Sequence, residues 1–184
     1  MERVVLVVDL DGTLIDNKSR FEEFISSNGS FDMLSLREFF SEENVLSDPF
    51  MQGSEVVFEL ADKLNADIYF LTGRSEGFKD QTQKMLKKYK EEMGIEHDVK
   101  NIPLYMRPNE SGPVKSYIVK EKILLRQLLP KHPGANFIFF EDEEENIKMF
   151  KQYGMVFESP ECWPRIKELV NYHAPRGAAC KSHS

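Results

Sequence analysis

Four short, nearly continuous apolar runs punctuate the chain, at residues 4–10, 67–71, 102–106 and 136–140. Strands buried on both faces of a parallel sheet read as such runs rather than as strict alternation. A fifth run, residues 155–157, fits a last edge strand. Between the runs, apolar residues recur at three-and-four spacing, the pattern of a helix with one buried stripe. This spacing predicts helices over residues 31–40 and 55–64, the latter through Val56, Val57, Leu60, Ala61 and Leu64. A strongly charged helix is predicted over residues 76–93. Another is predicted over 114–129, with Ile118, Val119, Ile123, Leu124, Leu125 and Leu128 as its buried side and Pro130 as its stop. Residues 143–153, ending at Gly154, and residues 160–172 complete the set. Strands alternating with helices predict an α/β fold in three layers, a mainly parallel sheet flanked by helices.

Length and composition narrow this picture. A chain of 184 residues with 41% hydrophobic and 30% charged residues fits one packed domain, expected over residues 1–172. Residues 17–51 are expected to form a small cap or an extended crossover. The tail 173–184, rich in small and polar residues, is expected to be flexible. The net charge of −7 disfavours broad attraction to phosphate backbones or anionic membranes. Cys162 and Cys180 have no His at ligand spacing, which suggests neither a disulfide framework nor a zinc site and fits a cytoplasmic location. The apolar stretch at residues 4–8 is too short for a signal peptide, and no run reaches the roughly 20 residues of a membrane span.

The chemistry-bearing residues fall where the predicted strands end. Asp9 and Asp11 close the first run, Thr72, Gly73 and Arg74 follow the second, and Glu141 with Asp142 follow the fourth. In a parallel sheet those ends share one edge, where ligands bind. Taken singly, each piece has a plain reading: Asp-Gly marks a turn, and an acidic run starts a helix. Taken together, two acidic clusters at neighbouring strand ends would repel unless a cation neutralises them. Hard oxygen ligands without His or thiolate select Mg2+. Thr72, the Gly73 amide and a lysine are suitable donors to phosphoryl oxygens, so the set reads as phosphoryl transfer.

Asp9-Leu10-Asp11-Gly12-Thr13-Leu14, Leu71-Thr72-Gly73-Arg74, a downstream lysine and Phe140-Glu141-Asp142 resemble the four ordered motifs of the haloacid dehalogenase-like (HAD) superfamily. The resemblance spans residues 4 to about 153 and implies a Rossmann-like fold. It also implies a nucleophilic Asp9 that forms an aspartyl-phosphate, with Asp11 as general acid and base. It implies Mg2+ held by Asp9, by the main-chain carbonyl of Asp11 and by an acid of the last motif, Asp142 or Glu141. Lys120 is the preferred phosphate-binding lysine, placed on the more polar side of its helix, with Lys115 second. Arg74 either clamps substrate phosphate or pairs with the nearby acids.

The gaps between motifs leave no room for a large cap, so an open or lightly covered site is expected. Its substrate would be a phosphorylated small molecule or a phosphorylated polymer end. Tyr105-Met106-Arg107-Pro108 and Val119-Lys120 resemble the phosphatase module of polynucleotide kinase-phosphatases, which act on nucleic-acid ends. Lys84, Lys87, Lys88 and Lys90 could track a phosphate backbone. Interleaved Glu91 and Glu92 and the net charge instead favour a solvated face and rank nucleic acid below a small phosphomonoester. A receiver-type phospho-aspartate module shares the residue types, but there the acceptor aspartate lies apart from the acidic pair. A catalytically silent scaffold is hard to reconcile with Asp9, Asp11, Thr72 and Asp142 all being present.

Overall fold

The computed structural model describes residues 3–28 and 33–172. Five strands, β1 (Val4–Val8), β2 (Asp67–Ser75), β3 (Leu104–Arg107), β4 (Asn136–Glu141) and β5 (Met155–Glu158), form one sheet in the order β3-β2-β1-β4-β5. Every pairing is parallel, as in a Rossmann-like α/β fold. β1 is central because alternate residues bury on both faces. Leu6 and Val8 enter one core and Val5 and Val7 the other, all at most 2% exposed.

Helices α4 (Val56–Leu64), α5 (Lys79–Glu92) and α8 (Trp163–Tyr172) cover the first face. Helices α6 (Ser116–Ile123) and α7 (Glu144–Phe150) cover the second. Phe140 stacks on Trp163 at 5.3 Å between ring centres, and Phe139 on Phe150 at 4.3 Å. Each such fully buried ring contributes roughly 1.5–3 kcal/mol.

The register of β1 with β4 pairs Val8 with Phe140, and the Asp9 amide donates to the Phe140 carbonyl at 3.0 Å. Asp9 and Glu141 therefore leave the sheet side by side.

Several elements differ from expectation. β2 continues to Ser75, so Thr72, Gly73 and Arg74 lie within a strand rather than after one. The charged helix begins with a separate 3₁₀ turn, Glu76–Phe78, before α5. The predicted helix over 31–40 is α2 (Met33–Phe39), its first two residues lying outside those described. Two further helices, α1 (Lys18–Asn28) and α3 (Glu42–Ser47), were not expected. α1 has only a short stripe, Phe21, Phe24 and Ile25, among polar residues. α3 carries a readable signal, Ser41 capping the Asn44 amide ahead of Glu42 and Glu43.

After α6 the chain passes into a π-helical turn, Leu124–Leu128, then a 3₁₀ turn containing Pro130. Its buried rows run by fours, Val119–Ile123 and Lys120–Leu124–Leu128. Ile118 and Leu125 are 43% and 46% exposed, against the expected buried side. Lys120 is likewise on the buried stripe, not the polar side. The tail 173–184, with Cys180, lies outside the described residues, while Cys162 is a buried free thiol. Among the described residues no helix is long and apolar enough to cross a membrane.

Candidate active site

Two ion-pair systems meet at the carboxyl end of the sheet. In the first, the Lys120 ammonium donates to Asp9 Oδ1 at 2.9 Å and to Glu141 Oε2 at 2.7 Å, all three residues being at least 94% buried. A lysine so enclosed survives only because both carboxylates face it, and they raise its pKa despite the cost of burial. Lys115 lies elsewhere, exposed and paired with Glu145 at 2.7 Å. In the second system, Arg74 Nη2 and Nε grip Asp11 Oδ1 and Oδ2 at 2.6 and 2.8 Å, and Asn17 Nδ2 donates to Oδ1 at 2.6 Å. Of the two roles open to Arg74, this is the geometry of the acid pair.

The two aspartates are pushed in opposite directions. Burial drives the Asp9 carboxyl well above the usual range, and the charges of Glu141, Asp142 and Asp11 add to it against the pull of Lys120. Burial also raises Asp11, but the charge and hydrogen bonds of Arg74, with Asn17, outweigh it and hold Asp11 low. Asp142 is pushed up to about 7 by desolvation and by Glu141. Four carboxylates thus face two cations, a deficit that suits an added positive charge.

Carboxylate oxygens of Asp9, Glu141 and Asp142 lie within 4.8 Å of one another, and hard oxygen donors at this spacing fit Mg2+. The Asp11 side chain is outside that trio. Asp142 approaches because residue 12 is glycine: at φ +72° a Cβ there would sit 2.0 Å from Asp142 Oδ2. Glu141 Oε1 accepts from the Asp142 and Glu143 amides at 3.3 Å each, which fixes the turn into α7.

These groups floor a cavity of about 600 Å³. Asp9, Asp11, Gly12, Gly73, Lys120, Glu141 and Asp142 line it, whereas Thr72 and Arg74 are buried behind that surface. Thr72 Oγ1 accepts the Arg74 amide at 3.2 Å, and Arg107 holds the Gly73 carbonyl at 3.1 Å. The rest of the lining comes largely from Lys18, Phe21, Glu22, Leu36, Phe39 and Phe40, all within residues 17–51. Sequence reading missed Asn17, these phenylalanines and Ser116, which also lines the cavity. Ser116 was findable, one turn before Lys120 on the same helix face, whereas Asn17 carries no pattern of its own.

The family model of the polynucleotide kinase PNKP phosphatase domain matches residues 3–158. The chain belongs to this family of HAD-like phosphatases. Two solved structures of the Pnkp1/Rnl/Hen1 complex, one described as an RNA repair complex, are similar to it with TM-scores of 0.60 and 0.58 at 19% and 18% identity. Each covers 85% of this phosphatase, which spans only 46% and 42% of those chains. The class C acid phosphatase from Bacillus anthracis is similar at a TM-score of 0.55 and 15% identity, over 97% of this chain and 81% of its own. At these identities the likeness is one of fold. No curated protein matches the chain.

Proposed function

We propose that this phosphatase is a Mg2+-dependent phosphomonoesterase that removes phosphate from nucleic-acid ends through an aspartyl-phosphate on Asp9. The observation that carries the reading is the division of labour between two aspartates in one cavity, Asp9 against Lys120 and the acid cluster, Asp11 against Arg74 and Asn17. Asp9, Asp142 or Glu141 and the Asp11 carbonyl would hold Mg2+, which supplies positive charge against the phosphoryl oxygens when bound.

Asp9 Oδ attacks phosphorus while the ester P–O bond breaks, and the leaving oxygen takes a proton from the Asp11 carboxyl, which must be loaded with that proton against the pull of Arg74 as the ester binds. Water then attacks phosphorus, Asp11 accepts its proton, and the bond to Asp9 breaks, restoring the carboxylate. Lys120 and the Gly73 amide bind phosphoryl oxygens. Thr72 and Arg74, expected from sequence to bind phosphate, support that set from behind the cavity, Thr72 accepting the Arg74 amide and Arg74 orienting Asp11. Residues 17–51 act as a small cap on a catalytic unit covering residues 1–172.

The choice of nucleic-acid ends over small metabolites reverses the ranking from composition. It rests on the description of the family that the chain matches. The lysines of α5 remain poor candidates for a backbone track, since Lys84 pairs with Glu42 and Lys87 and Lys88 with Glu91 and Glu92. Recognition is therefore assigned to the end itself.

Oligonucleotides bearing a 3′- or a 5′-phosphate, assayed for phosphate release with Mg2+ and with chelator, test the reading. One end should turn over with Mg2+ only, and Asp9→Asn should lose at least about a thousandfold in kcat. Full activity in chelator, or in Asp9→Asn, would reject the mechanism. Turnover of small phosphomonoesters alone would reject the substrate. An aspartyl-phosphate stable for minutes, with no phosphate released, would point to a receiver-like module instead.

A further inference from the structure

The chemistry occupies one side of the cavity and leaves the other unexplained. A volume of about 600 Å³ accommodates a whole small molecule rather than a phosphoryl group alone. The unexplained part is Phe21, Leu36, Phe39 and Phe40, a mainly aromatic wall that also carries Lys18 and Glu22.

The wall lies on the leaving-group side. Asp11, which serves the leaving oxygen, is held by Asn17, the residue immediately before α1. Arg74, which grips Asp11, lies 5.2 Å from the centre of the Phe40 ring. Whatever is attached to the leaving oxygen therefore emerges beside α1 and α2. One ring of the wall, Phe39, is anchored. Arg20 pairs with both oxygens of Asp48 at 2.5 and 2.6 Å, donates to the Phe39 carbonyl at 2.7 Å, and lies 3.9 Å from the Phe39 ring centre. Phe21 meets Phe39 edge to face at 5.9 Å, yet remains 45% exposed. A partly exposed ring packed on an anchored neighbour, beside an emerging substituent, is a stacking platform, the arrangement that holds bases without reading their edges.

We infer that the wall is a leaving-group subsite for a planar aromatic ring of nucleobase class, with Phe21 as its contact surface. This rests on the phosphatase reading above and adds which part of the substrate the cap recognises.

The test compares a nucleoside 3′-monophosphate with base-free ribose 3-phosphate, two esters with the same leaving oxygen. With the full chain and Mg2+, KM should be about tenfold lower for the base-bearing ester. Phe21→Ala should close that gap by raising KM for the base-bearing ester, and Phe21→Tyr should keep it. Equal KM values for the two esters, or an equal loss on both in Phe21→Ala, would overturn the subsite. Calorimetry on Asp9→Asn repeats the comparison without needing turnover. Tighter binding of the base-bearing ester there, with no hydrolysis by the unsubstituted enzyme, would keep the subsite and remove the mechanism. Hydrolysis without base preference would do the reverse.

Discussion

At the amino end of the sheet, Arg3 donates to Asp67 at 2.8 Å, and Tyr69 shares a 2.7 Å hydrogen bond with His132, itself 3.7 Å from Asp67. Each charge there faces an opposite charge or a neutral partner. At the carboxyl end, Asp9, Glu141 and Asp142 crowd around the single ammonium of Lys120, and two of the three carboxyls are pushed upward in pKa. Both clusters belong to the same sheet. The first is what folding alone produces, and the second is an arrangement that a bound cation would complete.

The largest expected break between the two ends comes from removing their cations. Lys120→Met leaves buried carboxylates unpaired and should cost about 3–5 kcal/mol in urea unfolding. Arg3→Met removes an exposed pair and should cost about 1 kcal/mol or less. Similar losses for both would erase the contrast.

Gly12→Ala should come next. The left-handed backbone alone costs about 1–2 kcal/mol, and the new Cβ displaces Asp142. The measurement that isolates the site is Mg2+ stimulation of phosphate release, which should fall more than thermal stability does.

The pH responses should have opposite signs. Asp142, raised from 3.8 to about 7, favours the folded state when protonated, so without metal the melting temperature should fall as pH rises from about 4 to 7 and level off above. Added Mg2+ should restore more stability at the upper pH than at the lower. His132 is the reverse and the smallest effect. Burial, with the charge of Arg3, lowers its pKa, so its contribution is full above its ordinary value of 6.5 and is lost as pH falls through the lower folded value. His132→Gln should flatten the acid side of the melting curve and leave the alkaline side unchanged.

The sheet was readable because strands buried on both faces must be continuously apolar, as in Val4–Val8 and Asn136–Glu141. α6 misled because its apolar residues outnumber the places on one face. The rows through Lys120 and Val119 take the core, and the π turn at Leu124–Leu128 alters the helix phase beyond them. Amphipathic counting assigns a lysine to water by default, and here tertiary charges override that default.

Residue order alone was enough for the sheet's hand of cards: apolar runs alternating with helices force a parallel arrangement, and acids placed after those runs must gather at one edge. Packing in three dimensions settled the partners. Lys120 meets Asp9 across 111 positions and Arg74 meets Asp11 across 63, while α1 and α2 bring Phe21 and Phe39 to the same cavity. Periodicity reports which side of an element is buried. Which charge lies within 3 Å of which other depends on how the elements are stacked, and no local pattern encodes that distance.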